Sequence, residues 1–429
     1  MEPLIRQGAS RRWDRIATAH WRAGDRSGKG EDTCPNHREP AMSEPSNPSR
    51  RRWLRRTIGV GLLGLTATAF AIDFDWLFDA PAPQIEVSER ARRLHRSAIV
   101  IDLHADALLW RRDLRRRNRH GHVDFPRLRE GGVDAQAITL ASLWPIGLNA
   151  IRNRWPPRTW TRPWERVRYQ MERLAHMLEG RDDVALVRTA AELRANAARG
   201  VISLFHGIEG AHALPDGDLS KLDWLAEHGV LFVAPVHLED NAYGHHGGGD
   251  PERGLTELGR RLIDRMNELG LLVDTAHAGS RTLQEAVRRS AFPPINSHTG
   301  VKAVRDHWRN ISDDDIRAIA ARDGVIGIMF GGMALDHPRI DEILAHMQHV
   351  IDLVGDRYVA LGSDWDGWIR PAVDPAGLPQ LTEAMVRRGW SEARIRRILG
   401  ENVLRVWESR DRLLAARRSG HPPAPRPEK

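Results

Sequence analysis

Six short apolar runs in this chain each lead into a residue that can bind a metal ion or carry a proton. Ala98–Leu103 leads to His104, Val201–Phe205 to Glu209 a few residues on, and Leu231–Val236 to His237. Leu271–Ala276 precedes His277, Pro293–Ser297 precedes His298, and Tyr358–Ser363 precedes Asp364. The runs have the length and apolar density of buried strands and alternate with stretches of helical periodicity. Such alternation calls for a parallel sheet, and residues just past strand ends then share one rim. An α/β fold of the (β/α)8 type places its chemistry on that rim.

Eight strands are expected: Ile99–Leu103, Ala135–Leu140, Val201–Phe205, Leu231–Val236, Leu271–Asp274, Pro294–Asn296, Val325–Phe330 and Val359–Gly362. A charged helix is expected over Val87–Arg96, and amphipathic helices over Arg166–Glu179, Leu255–Leu269, Ser280–Arg289 and Asp313–Ala321. Ser312 followed by three aspartates reads as the start of the last of these. Trp144–Trp164, rich in Trp, Pro and Arg, follows the second strand; it reads either as a lid or as a loop packing its aromatics onto the barrel.

The pI near 10.2 suggests a nucleic-acid partner until the charge is located. Residues 1–71 carry net +6 and residues 411–429 net +3, against +7 for the whole chain, which leaves the body at −2. A near-neutral body has no broad basic footprint for phosphates, so no nucleic-acid partner is expected. The basic N-terminal part is organised differently. Ser49-Arg50-Arg51-Arg52-Trp53-Leu54-Arg55 resembles a twin-arginine export motif; an apolar stretch, Ile58–Ala71, follows and ends in Ala69-Phe70-Ala71. That stretch is shorter than the ~20 residues of a membrane span, and the small residues suit signal cleavage. The expected organisation is an over-extended start at 1–41 and a signal peptide at 42–71. A linker at 72–87, a barrel domain at 88–410 and a basic Pro-rich tail at 411–429 follow. An uncleaved membrane anchor is the alternative for 42–71. The one cysteine, Cys34, precedes Met42. A mature chain would lack thiols, so a metal site must use nitrogen and oxygen ligands.

His104-Ala105-Asp106 places an imidazole and a carboxylate where one ion could take both. Glu209 has two oxygens and could bridge two cations, and His277 and His298 could complete a second shell. A metal pair about 3.5–4 Å apart would generate a bridging hydroxide near neutral pH and polarise a carbonyl. His245, His246, His337, His346 and His349 read as loop or helix-surface residues. His212, close to Glu209, reads as a supporting residue at most.

Taken together these motifs are specific. Asp102-Leu103-His104-Ala105-Asp106, Gly207-Ile208-Glu209-Gly210-Ala211-His212, Asp274-Thr275-Ala276-His277, Ser297-His298, Arg309–Asp314 and Gly362-Ser363-Asp364-Trp365-Asp366-Gly367 occur in this order. From about Ser88 to Arg410 the chain resembles the renal, or membrane, dipeptidase family of zinc peptidases. Ala105, Ala211 and Trp365 depart from the residues frequent there, and none of these departures removes a ligand.

The resemblance implies two Zn2+ per chain. His104 and Asp106 would hold one ion, His277 and His298 the other, and Glu209 would bridge them. It also implies that His237 donates to the substrate carbonyl oxygen and that Arg309 pairs with a terminal carboxylate. Asp364 would act as general base and acid, with Asp366 its rival for that role. A dipeptide substrate, a homodimer and an exported enzyme complete the expectation. Other amidohydrolases, acting on amides or lactams, use His-x-His and a carboxylated lysine; here neither Lys221 nor Lys302 ends a strand. A metal-free binding protein would have lost ligands, and none is lost.

Overall fold

Each expected strand run forms a strand, and the ring they build is closed by a contact the sequence does not display. The computed structural model describes residues 75–420 apart from 144–147 and 215–216. The expected signal segment, the stretch up to residue 41, the start of the Trp-rich loop and residues 421–429 therefore lie outside the described residues. The strands are β1 Ile101–Asp102, β2 Ala135–Ala141, β3 Val184–Leu186, β4 Ile202–Glu209 and β5 Val230–Val233. They continue as β6 Leu272–Val273, β7 Ile295–Thr299, β8 Val325–Ile328 and β9 Val359–Leu361. The order is β6-β5-β4-β2-β1-β9-β8-β7, with every pairing parallel. A parallel bridge between Asp274 and Ile295 joins the two ends, so eight strands make a nearly closed barrel.

β3 is a ninth strand that the sequence reading did not include. It pairs with the lower part of β4, from Ile202 to Leu204, on the flank that β5 occupies from His206 upward. Three residues are too few to show a periodicity. Two other strands run further than expected. β4 stays paired with β2 as far as Glu209, and β7 reaches Thr299, so Glu209 and His298 end their strands from within.

The helices form where amphipathic periodicity places them, at Glu89–Ser97, Pro163–Leu178, Glu257–Leu269, Ser280–Arg289 and Asp313–Ala321. Ser312 and Asp315 close a reciprocal capping box at the last of these. The bottom of the barrel is plugged by the helix Asn402–Arg418. Its Trp407 lies 5.0 Å from the Phe205 ring, within a cluster that includes Ile101, Phe232 and Val325. Truncating a buried Trp of this kind costs about 3–5 kcal/mol. The helix continues to Arg418, past the expected boundary at 410, because Leu413 and Leu414 still pack on that cluster and Arg417 lies over Phe292. Among the described residues no helix is long and apolar enough to cross a membrane.

The described part of the Trp-rich loop packs onto the barrel. Trp155 is buried and donates its indole N–H to Leu109 O, and Trp164 meets Trp224 edge-on at 5.2 Å. The buried Arg166 guanidinium bonds the carbonyls of Ser142, Leu143, Thr159 and Trp160, tying the loop down.

Candidate metal centre

Two buried aspartates shape the turns that aim the ligands. Asp102 accepts the backbone N–H of His104 at 3.3 Å and of Ser363 at 2.7 Å, and also the Ser363 hydroxyl and the Gln136 amide. It thus staples the turn after β1 to the turn after β9. Asp274 does the same further round, accepting the N–H of Ala276 at 3.0 Å and of Ser297 at 2.9 Å. Short polar side chains that bond backbone two residues on favour turns over continued strand. Beyond them His277, Asp364 and Asp366 adopt left-handed backbone, with φ of 63°, 61° and 66°. Such conformations are costly for residues other than glycine and gather at functional sites.

The side chains converge on Glu209. Its Oε1 lies 3.0 Å from His277 Nε2, 3.3 Å from His237 Nε2, and 3.5 Å from both His104 Nε2 and His298 Nε2. His104 Nε2 is also 3.6 Å from Asp106 and 3.9 Å from Asp364. Among the described residues three sets of ligand atoms fall within 4.8 Å of one another: His104–Glu209–His298, Glu209–His237–His277 and His104–Asp106–Asp364. Glu209 shares two of the sets, as a bridge would. His237, expected as a substrate contact, also stands among the ligand candidates, and the grouping pairs it with His277 in place of His298.

The electrostatics suit a cation. Burial lowers His237, His277 and His298 well below the usual imidazole range, with neighbouring cationic groups adding to it, so all three are neutral and able to ligate. His104 moves the other way. Burial opposes its charge, but Glu209, Asp106 and Asp364 outweigh burial and push it up to about 10. Burial, then Asp106, raises Glu209 well above the carboxylate range. Burial also raises Asp364, to about 7, with Asp106 and Asp102 adding to it and His104 and Arg309 opposing. Excess carboxylate charge at a buried point favours a positive charge among them. The donor set passes a direct test as well: His104 Nε2 and Glu209 Oε2 are buried and without a hydrogen-bond partner.

Asp364 and Asp366 separate clearly. Asp366 turns away from the cluster and accepts the Arg112 guanidinium and the N–H groups of His122 and Val123. Despite burial, these partners hold it below the usual carboxylate range. Arg309 is buried, at 3% exposure, and donates from Nη2 to His298 O at 2.8 Å. It forms no surface pair with the aspartates that follow it: Asp313 binds His349 and Asp314 binds Arg317. Lys221 and Lys302 pair with Asp218 and Asp306, away from the cluster.

Two of the histidines read as loop or surface residues are buried. His346 accepts the Val301 N–H and His245 bonds Asp240. His212 is also largely enclosed, beside His237 at Gly210. Asp102, Asp274, Ser297 and Thr139, whose hydroxyl donates to Asp106 at 2.8 Å, brace the ligands without having been singled out. Their one sequence signal is a polar residue inside an apolar run.

A parallel (β/α)8 barrel with four imidazoles and three carboxylates gathered at its C-terminal mouth is the architecture of a metal-dependent hydrolase. Residues 88–419 match the family described as Membrane dipeptidase (Peptidase family M19), and the chain belongs to that family. Dipeptidase aclJ of Aspergillus oryzae is 28% identical over 398 residues, covering 84% of this chain and 91% of its own. An uncharacterized dipeptidase of Schizosaccharomyces pombe is 32% identical over 244 residues, 53% of this chain, which spans 58% of that relative's length. The crystal structure of a Rhodobacter sphaeroides metallo peptidase, liganded with a phosphinate mimic of L-Ala-D-Ala, is 28% identical. It superposes with a TM-score of 0.65 over 73% of this chain and 99% of that one.

Proposed function

We propose that this protein is an exported, zinc-dependent dipeptidase that hydrolyses the single peptide bond of a dipeptide. One observation carries the reading: a single buried carboxylate oxygen, Glu209 Oε1, lies within 3.0–3.5 Å of four imidazole nitrogens. His104 and Asp106 would hold one ion, His277 and His298 the other, and Glu209 both. When bound, such a pair supplies a water that ionises near neutral pH and polarises the scissile carbonyl.

The chain's own groups do the rest. His237, neutral because it is buried, can donate N–H to the carbonyl oxygen as negative charge develops there. Asp364 sits beside the ligands with a pKa of about 7, suited to taking a proton from the attacking water and delivering it to the leaving nitrogen. Arg309 would pair with the substrate's C-terminal carboxylate in a forked contact and so restrict cleavage to dipeptides. The phosphinate bound by the Rhodobacter sphaeroides relative mimics a dipeptide with a D-residue in second place, which supports acceptance of such substrates here. Export rests on the twin-arginine-type segment, and a homodimer on the family resemblance.

The test is elemental analysis of protein purified without chelator, joined to a panel of L,L-, L,D- and D,L-dipeptides with and without chelator. Two zinc per chain and chelator-sensitive dipeptide cleavage are expected. Full activity with no transition metal would refute the mechanism, and cleavage of other amides or lactams in preference to dipeptides would move the substrate assignment.

A further inference from the structure

Ser297 ends the run before His298 on β7, is fully buried, and places its hydroxyl against two imidazoles at once. Its Oγ is 2.9 Å from His298 Nδ1 and 3.3 Å from His104 Nδ1. The two rings lie 3.6 Å apart by centroid, and each turns Nε2 toward Glu209. The position of Ser297 is held tightly. A Cβ added to Gly327 or Gly362 would meet the Ser297 carbonyl oxygen at 2.2 and 2.1 Å, so both neighbouring segments press on it with bare backbone.

A neutral imidazole has one N–H and one lone pair. For Nε2 to present its lone pair to a cation, Nδ1 must carry the hydrogen. Both rings must then donate to the Ser297 oxygen, which has two lone pairs to accept them. The hydroxyl's own hydrogen needs a third group as acceptor. The Asp274 carboxylate, which already accepts the Ser297 backbone N–H at 2.9 Å, is the acceptor at hand. If the hydroxyl donated to either ring instead, that ring would carry its hydrogen on Nε2 and could not ligate.

We infer that Ser297, held through its backbone N–H by Asp274, is a positioning residue that sets the tautomers of His104 and His298 together and so couples the ligand shells of both metal ions. The inference rests on the two-metal reading proposed above. Partners that fix the tautomer of a ligating histidine commonly change metal affinity by about 10- to 100-fold. In that reading His104 and His298 belong to different ions, so loss of the one hydroxyl should weaken both.

The experiment uses full-length protein stripped of metal and titrated with zinc against a chromogenic chelator, alongside the melting temperature of each metal-free variant. Ser297→Ala should weaken both zinc sites by about 10- to 100-fold. Ser297→Thr, which keeps the hydroxyl, should bind like the wild type. A merely structural serine would lower the melting temperature and leave both affinities unchanged; that result, or the loss of one site alone, overturns the inference. Should the threonine variant fail to fold, the alanine variant against wild type still decides. A wild-type protein that takes up no zinc refutes the metal reading itself, and with it this inference. A wild type that binds two ions while Ser297→Ala binds them equally well overturns only the role of Ser297.

Discussion

Replacing Arg309 by alanine should remove the charge that reads the substrate's terminal carboxylate. The guanidinium is buried and spends one N–H on His298 O, at 2.8 Å. That leaves the rest of its donor fork for a ligand. Burial disfavours its charge, while Asp364, Glu209 and Asp274 favour it. An incoming carboxylate would therefore meet a partly desolvated cation. A charge-assisted forked contact there contributes about 1.5–3 kcal/mol, or roughly 10- to 150-fold in kcat/KM. Arg309→Lys keeps charge but loses the fork, so it should be impaired as well. The assay is cleavage of a dipeptide and of its C-terminal amide by wild type, Arg309→Ala and Arg309→Lys, with melting temperatures alongside because His298 O also loses a donor. Amidation should slow the wild type by the same factor as the mutation, and should slow Arg309→Ala little further. Equal cleavage of acid and amide by the wild type would show that Arg309 is structural and would remove the reason for dipeptide specificity.

Asp364→Asn should reduce kcat by about 10²–10⁴-fold with little loss of stability. Asp366→Ala should instead destabilise the fold by about 3–5 kcal/mol, because Arg112 is left buried without its carboxylate; thermal melts and kinetics on both variants separate the two roles. His346 is buried neutral, its pKa lowered from 6.5 to about 4 by burial and then by Arg305. The unfolded chain binds the extra proton between those values, so stability should fall as pH drops from 6.5 to about 4, by up to about 3 kcal/mol from this group. His346→Gln, which keeps an acceptor for the Val301 N–H, should flatten that slope in urea melts; an unchanged slope would assign it to other groups. Replacing Arg50 and Arg51 by lysine should hold the protein in the cytoplasm, and N-terminal sequencing of exported wild type should begin at Ile72; a mature chain retaining residues before Arg50 would contradict cleavage.

Periodicity and residue type were enough to read the alternating architecture, the eight barrel strands and the polar strand-end residues that gather around Glu209. Those signals are local: an apolar run followed by a polar residue is visible in one dimension, and parallel strands carry their ends to one rim whatever the details. Other features needed the folded chain. β3 was too short to show a pattern, and the length of β4 is set by its pairing with β2 as far as Glu209. Asp364 and Asp366 stand two residues apart with the same side chain; left-handed backbone at both sends one to His104 and the other to Arg112. His237 joined the ligand candidates only when β5 was placed beside β4 and β6. Ser297 and Asp274 acquired their parts because strands remote in sequence bring His104 against His298. Sequence spacing determines which residues reach the mouth of the barrel. The direction each side chain takes there, and the hydrogen it must share, depend on partners 68 to 193 residues away along the chain, and only the tertiary structure decides them.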